Sequence, residues 1–192
     1  MITSSRKKSL IFILLPLLMG INIDIYVPSL PHITKYFQTT AFLTQITISA
    51  YMLTYSLSQI ILGMLSDIMG RRKIMLGCAL SFVLSCFLSI FAPNIYVLIV
   101  SRLLQGFFIG GIAATLRASA VDQFSGIALK KIVNNISIGW SVGPIIAPMI
   151  GGYLQYYFNW QANFVFLLIY GVIVLVAIYY KLPETKTKST KI

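Results

Sequence analysis

The segment Gln59-Ile-Ile-Leu-Gly63-Met-Leu-Ser66-Asp67-Ile-Met-Gly70-Arg71-Arg72-Lys73 runs from an apolar stretch straight into a cluster of cations. Gly63 lets two helices approach closely, and Gly70 permits a tight turn. Asp67 is placed to accept hydrogen bonds from the arginines or to face a helix N-terminus. A loop that merely fixed topology would need cations, but not glycine, aspartate, glycine and arginine at these positions. The segment reads as a built junction between two apolar helices.

Apolar runs lie on both sides of it: Leu10–Val27, Phe42–Ser66, Ile74–Phe91, Ile95–Ala114, Ile132–Tyr153 and Ala162–Tyr180. A bilayer-spanning helix needs roughly 20 such residues, so six consume about 120. The 192 residues are 58% hydrophobic and 10% charged, with a mean hydropathy of +0.87. A soluble domain carries about 25% charged residues, and disorder needs low hydrophobicity. Both classes are excluded. The expectation is an all-α membrane protein: one six-helix bundle over residues 1–182 and a basic tail over 183–192. Turn-like interruptions are expected at Pro28–Pro31, Asp67–Lys73, Ala92–Asn94, Arg117–Lys131 and Tyr156–Gln161.

The net charge of +11 does not point to nucleic acid, because the cations form small clusters between apolar runs. With a cytoplasmic N-terminus, the cytoplasmic segments hold Arg6, Lys7, Lys8, Arg71, Arg72, Lys73, Arg117, Lys130, Lys131, Lys181, Lys186, Lys188 and Lys191. The outward loops hold Lys35 alone. This asymmetry is the positive-inside pattern and predicts both termini in the cytoplasm. A signal peptide is not expected, since the first run is long, ends near Asp24 and lacks a small-residue cleavage site. Neither terminus carries a lipidation motif.

Asp24 and Arg102 are the acid and base inside the predicted spans, where charge is costly and is paired or functional. Counting residues puts both about 10 Å below the outer surface, so the two are expected to meet. One reading is a pair that locks two helices. The other is a carboxylate that gains and loses a proton as Arg102 and a substrate compete for it. Asn22 and Tyr26 flank Asp24. Tyr51, Tyr55 and Gln59 recur at four-residue spacing, which places them near one helix face, lining either a cavity or a helix contact.

Enzyme chemistry finds no residues to carry it. His32 is the one histidine, beside Pro31, and four acidic residues spread over the chain offer no carboxylate pair. No metal-ligand cluster and no phosphate-binding glycine loop is present, so neither cofactor nor metal is expected. Cys78 and Cys86 lie about 12 Å apart along one helix, beyond disulfide reach.

Three motifs give the chain a family. The Gly63–Arg72 segment resembles the signature G-x-x-x-D-x-x-G-R-[RK] between the second and third helices of the major facilitator superfamily. Arg102-Leu-Leu-Gln105-Gly106, with Gly110 beyond, is similar to that superfamily's fourth-helix motif R-x-x-Q-G-x-x-x-G. Gly139, Gly143, Ala147 and Gly151 recur every four residues as a seam for close helix contact. Pro144 and Pro148 remove backbone donors and should bend that helix. This stretch, through Gly152, resembles the G-P-x-x-A-P-x-x-G-G motif of drug:proton antiporters. With Asp24-Ile-Tyr26-Val-Pro28-Ser-Leu-Pro31, the pattern looks like the Bcr/CflA multidrug efflux branch.

That resemblance implies the N-terminal half of the major facilitator fold, a 3+3 inverted repeat. It implies alternating access and proton-driven export of amphipathic drug-like molecules across a bacterial inner membrane. Asp24 would be the proton-responsive carboxylate, with Arg102 and Gln105 beside it. Asp67, Arg71 and Arg72 would form a conformational latch, and Gly143 with Pro144 would keep the antiporter from leaking. Val121 stands where the family has arginine before an aspartate, which weakens any role for Asp122. The family has twelve helices, so a second six-helix half is expected from another chain or a second copy. The alternatives are a truncated remnant, or a membrane partner that dimerises through the Gly139–Gly151 seam.

Overall fold

The turn chemistry of the chain decides where its helices stop, and a computed structural model describes residues 11–181. Arg6, Lys7, Lys8 and the 183–192 tail lie outside those residues. All regular structure among the described residues is helical, and six helical segments are long and apolar enough to cross a membrane.

The first span runs further than the apolar pattern predicts. It comprises α1 (Ile11–Asp24), a 3-10 turn (Val27–Ser29) and α2 (Leu30–Tyr36). Pro28 and Pro31 were expected to end this span at a turn, yet each sits at the start of a helical element. There the missing N–H costs nothing and the fixed φ suits a helix, so the prolines restart the helix.

The next two spans, α3 (Ala41–Met69) and α4 (Arg71–Ile90), are separated by Gly70 alone. The seven-residue loop expected at 67–73 is therefore nearly all helical. Gly70 makes the turn with φ 100°, a region where a side chain is strained. Thr40 caps α3, its hydroxyl accepting from the Leu43 amide at 3.3 Å. Asn94 caps α5 (Ile95–Gln123) in the same way through the Val97 amide. These side chains satisfy donors that a helix start leaves open.

Helix α5 and its successor α6 (Gly126–Tyr157) both outrun their apolar stretches. The predicted loop at 117–131 is mostly helix, because a helix can continue past the hydrocarbon once its cations reach polar surroundings. The last span is α7 (Gln161–Lys181).

Helix α3 lies along α5, α1 along α6, and α4 between α5 and α7. The innermost spans are the first and fourth, each 56% buried over its most apolar window, against 22% for α3 and α6. The outer flanks of α3 and α6 consequently expose Leu53, Ile60, Met64, Ile145 and Met149.

The small-residue seam explains how α1 and α6 come so close. Gly143 meets the backbone of Gly20, Gly139 meets the Ile13 carbonyl and Pro16, and Gly151 meets the Ile25 carbonyl. The seam is thus filled by the chain's own first helix and is not free to carry dimerisation. Gly152 lies off it, and a Cβ there would meet nothing within 4 Å. On α5, Gly106 and Gly110 rest against the Tyr51 and Tyr55 carbonyls of α3. Gly63 does not make the close approach expected of it: a Cβ there would meet Ala114 at an ordinary 3.6 Å. Pro144 and Pro148 both lie inside an uninterrupted α6.

Candidate functional site

Arg102 is the largest fully buried side chain among the described residues, and the groups that hold it are neutral. Its Nη1 donates to Gln105 Oε1 at 2.6 Å and to Asn22 Oδ1 at 3.4 Å, and Nη2 donates to the Asn22 carbonyl at 3.3 Å. The guanidinium carbon lies 4.3 Å from the Tyr26 ring centroid and 4.4 Å from that of Tyr51. A desolvated cation held over one aromatic face gains about 2 kcal/mol, and here two faces hold it.

The sequence places these residues by simple periodicity. Asn22 and Tyr26 are one turn apart on one face of the first span, and Arg102 and Gln105 are one turn apart on α5. Gly106 brings α5 and Tyr51 of α3 together. Gln105 carries the network onward: its Nε2 donates to Ser89 Oγ at 2.8 Å and to the Ser85 carbonyl at 3.4 Å. Ser89 donates to Ser101 Oγ at 2.7 Å. Tyr26 OH is within 2.9 Å of Thr47 Oγ1. Among the described residues, Arg102 Nε, Asn22 Nδ2 and the Tyr51 hydroxyl find no hydrogen-bond partner.

The expected meeting of Asp24 with Arg102 does not occur. Among the described residues the ion pairs are Arg71–Asp67 and Arg71–Asp122, and Asp24 is in neither. Depth was the right guide for the segment and the wrong one for the residue. Two positions along a helix rotate a side chain by about 200°. Asn22 therefore faces Arg102, while Asp24 points elsewhere and stays half-buried.

The helix-face residues divide between two places. Tyr51 and Tyr55 stack at 6.1 Å, and Tyr55 stacks on Trp140 of α6 at 5.8 Å. Gln59, two turns below Tyr51, instead accepts from Arg117 Nη1 at 3.0 Å. From α3 it thus reaches the far end of α5, away from the Arg102 cage.

The Gly70 junction forms a second cluster. Arg71 is buried, donates from Nη1 to Ser66 Oγ at 2.6 Å, pairs with Asp67, and donates from Nε to Asp122 Oδ2 at 3.0 Å. Asp122, discounted in the sequence for its missing arginine neighbour, thus ties α5 to the junction. Arg72 donates to the Tyr179 carbonyl at 2.6 Å and lies over that ring, joining α4 to α7. Sequence reasoning also passed over Ser85, Ser89 and Ser101. Ser85 and Ser89, four apart in a membrane helix, were the available signal, because hydroxyls there seek interhelical partners.

His, Cys, Asp and Glu side chains gather in no group of three or more among the described residues. Cys78 and Cys86 are buried free thiols.

Comparison with known proteins gives a consistent frame. The Major Facilitator Superfamily description matches residues 12–192. The uncharacterized MFS-type transporter YdgK of Bacillus subtilis (strain 168) is 35% identical over 95% of this chain and 46% of its own. Multidrug resistance protein D of Escherichia coli (strain K12) is 30% identical over 84% of this chain and 41% of its own. The crystal structure of the human organic anion transporter MFSD10 (TETRAN) superposes with a TM-score of 0.76 at 20% identity, over 94% of this chain and 48% of that one. The chain spans about half the length of the relatives it matches. The fold is that of transporters rather than of an enzyme.

Proposed function

The chain belongs to the major facilitator superfamily, and on that premise we propose that it forms the N-terminal six-helix half of a proton-coupled exporter of drug-like molecules. The half works by alternating access against a second six-helix half, in a bacterial inner membrane with both termini cytoplasmic. Relatives about twice its length, one of them named for multidrug resistance, support this reading.

The observation that carries it is Arg102, a buried guanidinium held by neutral dipoles and two ring faces. Such a charge is costly unless compensated. Neutral groups hold it without quenching it, so it responds to negative charge arriving nearby. Asn22, Tyr26, Tyr51 and Gln105 form the responsive element, and Tyr55 extends it toward Trp140. Asp24 is the proton carrier: it has no ion-pair partner among the described residues and remains half-exposed, hence reachable by protons. Asp67, Gly70, Arg71 and Arg72, joined by Asp122, form the latch at the cytoplasmic end. Gly63 contributes only ordinary packing there. The close α1–α6 contact through Gly139, Gly143, Pro144, Ala147 and Gly151 keeps the half rigid while it rocks, with Pro148 exposed beside it.

Asp24→Asn tests the reading. In everted vesicles carrying the complete transporter, drug addition should release protons with the parent, and release should fall at least about tenfold in the variant. Membrane insertion should be unchanged. Equal proton release from both proteins would overturn the assignment.

A further inference from the structure

The far end of α5 carries a cation that the proposed transport cycle leaves unused. Arg117 borders a cleft of about 310 Å³ between α1, α5 and α6, whose walls include Pro16, Met19, Leu116, Ser137 and Trp140. That volume lies at the lower end of small-molecule sites, which are mostly apolar with a few placed polar groups. We propose that this cleft binds amphipathic anions, taking a carboxylate- or phosphate-type head on Arg117 and an apolar body along Trp140 and Met19.

Charge decides the sign of the ligand. A guanidinium has five N–H donors, and the partner found for Arg117 is the neutral Gln59 Oε1. The acids among the described residues do not line the cleft. Asp67 and Asp122 are held by Arg71, and Asp24 ends α1 beyond Met19. A cationic head would meet Arg117 with nothing to offset it, whereas an anion gains a charge-assisted, bidentate contact.

Shape agrees with charge. Arg117 is exposed near the cytoplasmic end of α5, while Pro16 and Met19 lie on the membrane-embedded first span. A ligand therefore places its head at the interface and its body in the apolar part. Trp140 is braced by its stack on Tyr55 and offers a rigid wall. A soluble anion and an inner-leaflet anionic lipid share this chemistry.

The test is equilibrium binding to the full chain in phosphatidylcholine nanodiscs, by dialysis corrected against empty discs. It needs no second half, so its failure leaves the transport reading standing. The probes are 2-naphthoate and its neutral amide. The parent should prefer the anion, Arg117→Gln should weaken 2-naphthoate about tenfold without changing the amide, and Arg117→Lys should retain most of the preference. Adding phosphatidylglycerol distinguishes the sources. Competition assigns the site to lipid and its absence to a soluble anion, and either supports the proposal. Equal binding of anion and amide by the parent, or an unchanged naphthoate affinity in folded Arg117→Gln, would overturn it.

Discussion

An Arg102→Ala protein should unfold about 3 kcal/mol more easily than the parent, the largest loss expected from any single polar substitution in the bundle. Two desolvated cation–π contacts contribute about 2 kcal/mol each, and hydrogen bonds to a charged group about 1.5–3. Gln105 Oε1 and Asn22 Oδ1 would lose their donor while still buried. Relief of the cation's own desolvation offsets part of this sum. Arg102→Lys should recover little, because an ammonium lacks the planar fork that reaches Gln105 and Asn22 together. Unfolding in mixed micelles measures both, and an alanine variant as stable as the parent would show that the cage does not hold α1, α3 and α5 together.

The second large effect is steric and has its control next door. Gly151→Ala would drive a Cβ into the Ile25 carbonyl, which is backbone and cannot swing aside. Overpacking of this kind costs about 3 kcal/mol or displaces a helix. Gly152→Ala meets open space, so its expected change is within about 0.5 kcal/mol. The two substitutions share composition, helix and propensity, so a difference between them reports the α1–α6 contact alone. Equal unfolding midpoints for the two variants would contradict that packing.

Hydropathy and charge spacing revealed the six spans because bilayer thickness is a strong constraint on sequence. They did not reveal helix ends, since cations at 71–73 and 117–131 mark where hydrocarbon stops rather than where hydrogen bonding stops. The two prolines after Val27 read as a break for a related reason: proline at a first helical position and proline in a turn look alike in sequence. The four-residue recurrence of small residues identified the α6 seam but not its occupant, because Gly20 on α1 stands alone and has no periodicity of its own.

At the candidate site, motif and depth brought the right segments together. The angular position of Asp24 relative to Asn22 then decided which residue meets Arg102. Asp122 was hidden for a different reason: its partner, Arg71, is distant in sequence and reaches it only through the α4–α5 packing.

Export driven by a proton gradient is the property proposed for this six-helix half. The most direct measurement is drug accumulation in energised everted vesicles from cells producing the chain, with and without a second six-helix half, before and after the gradient is dissipated. Drug should accumulate when the second half is supplied, and the accumulation should be lost on dissipation. Accumulation indifferent to the gradient, or none in either arrangement, would contradict the proposal.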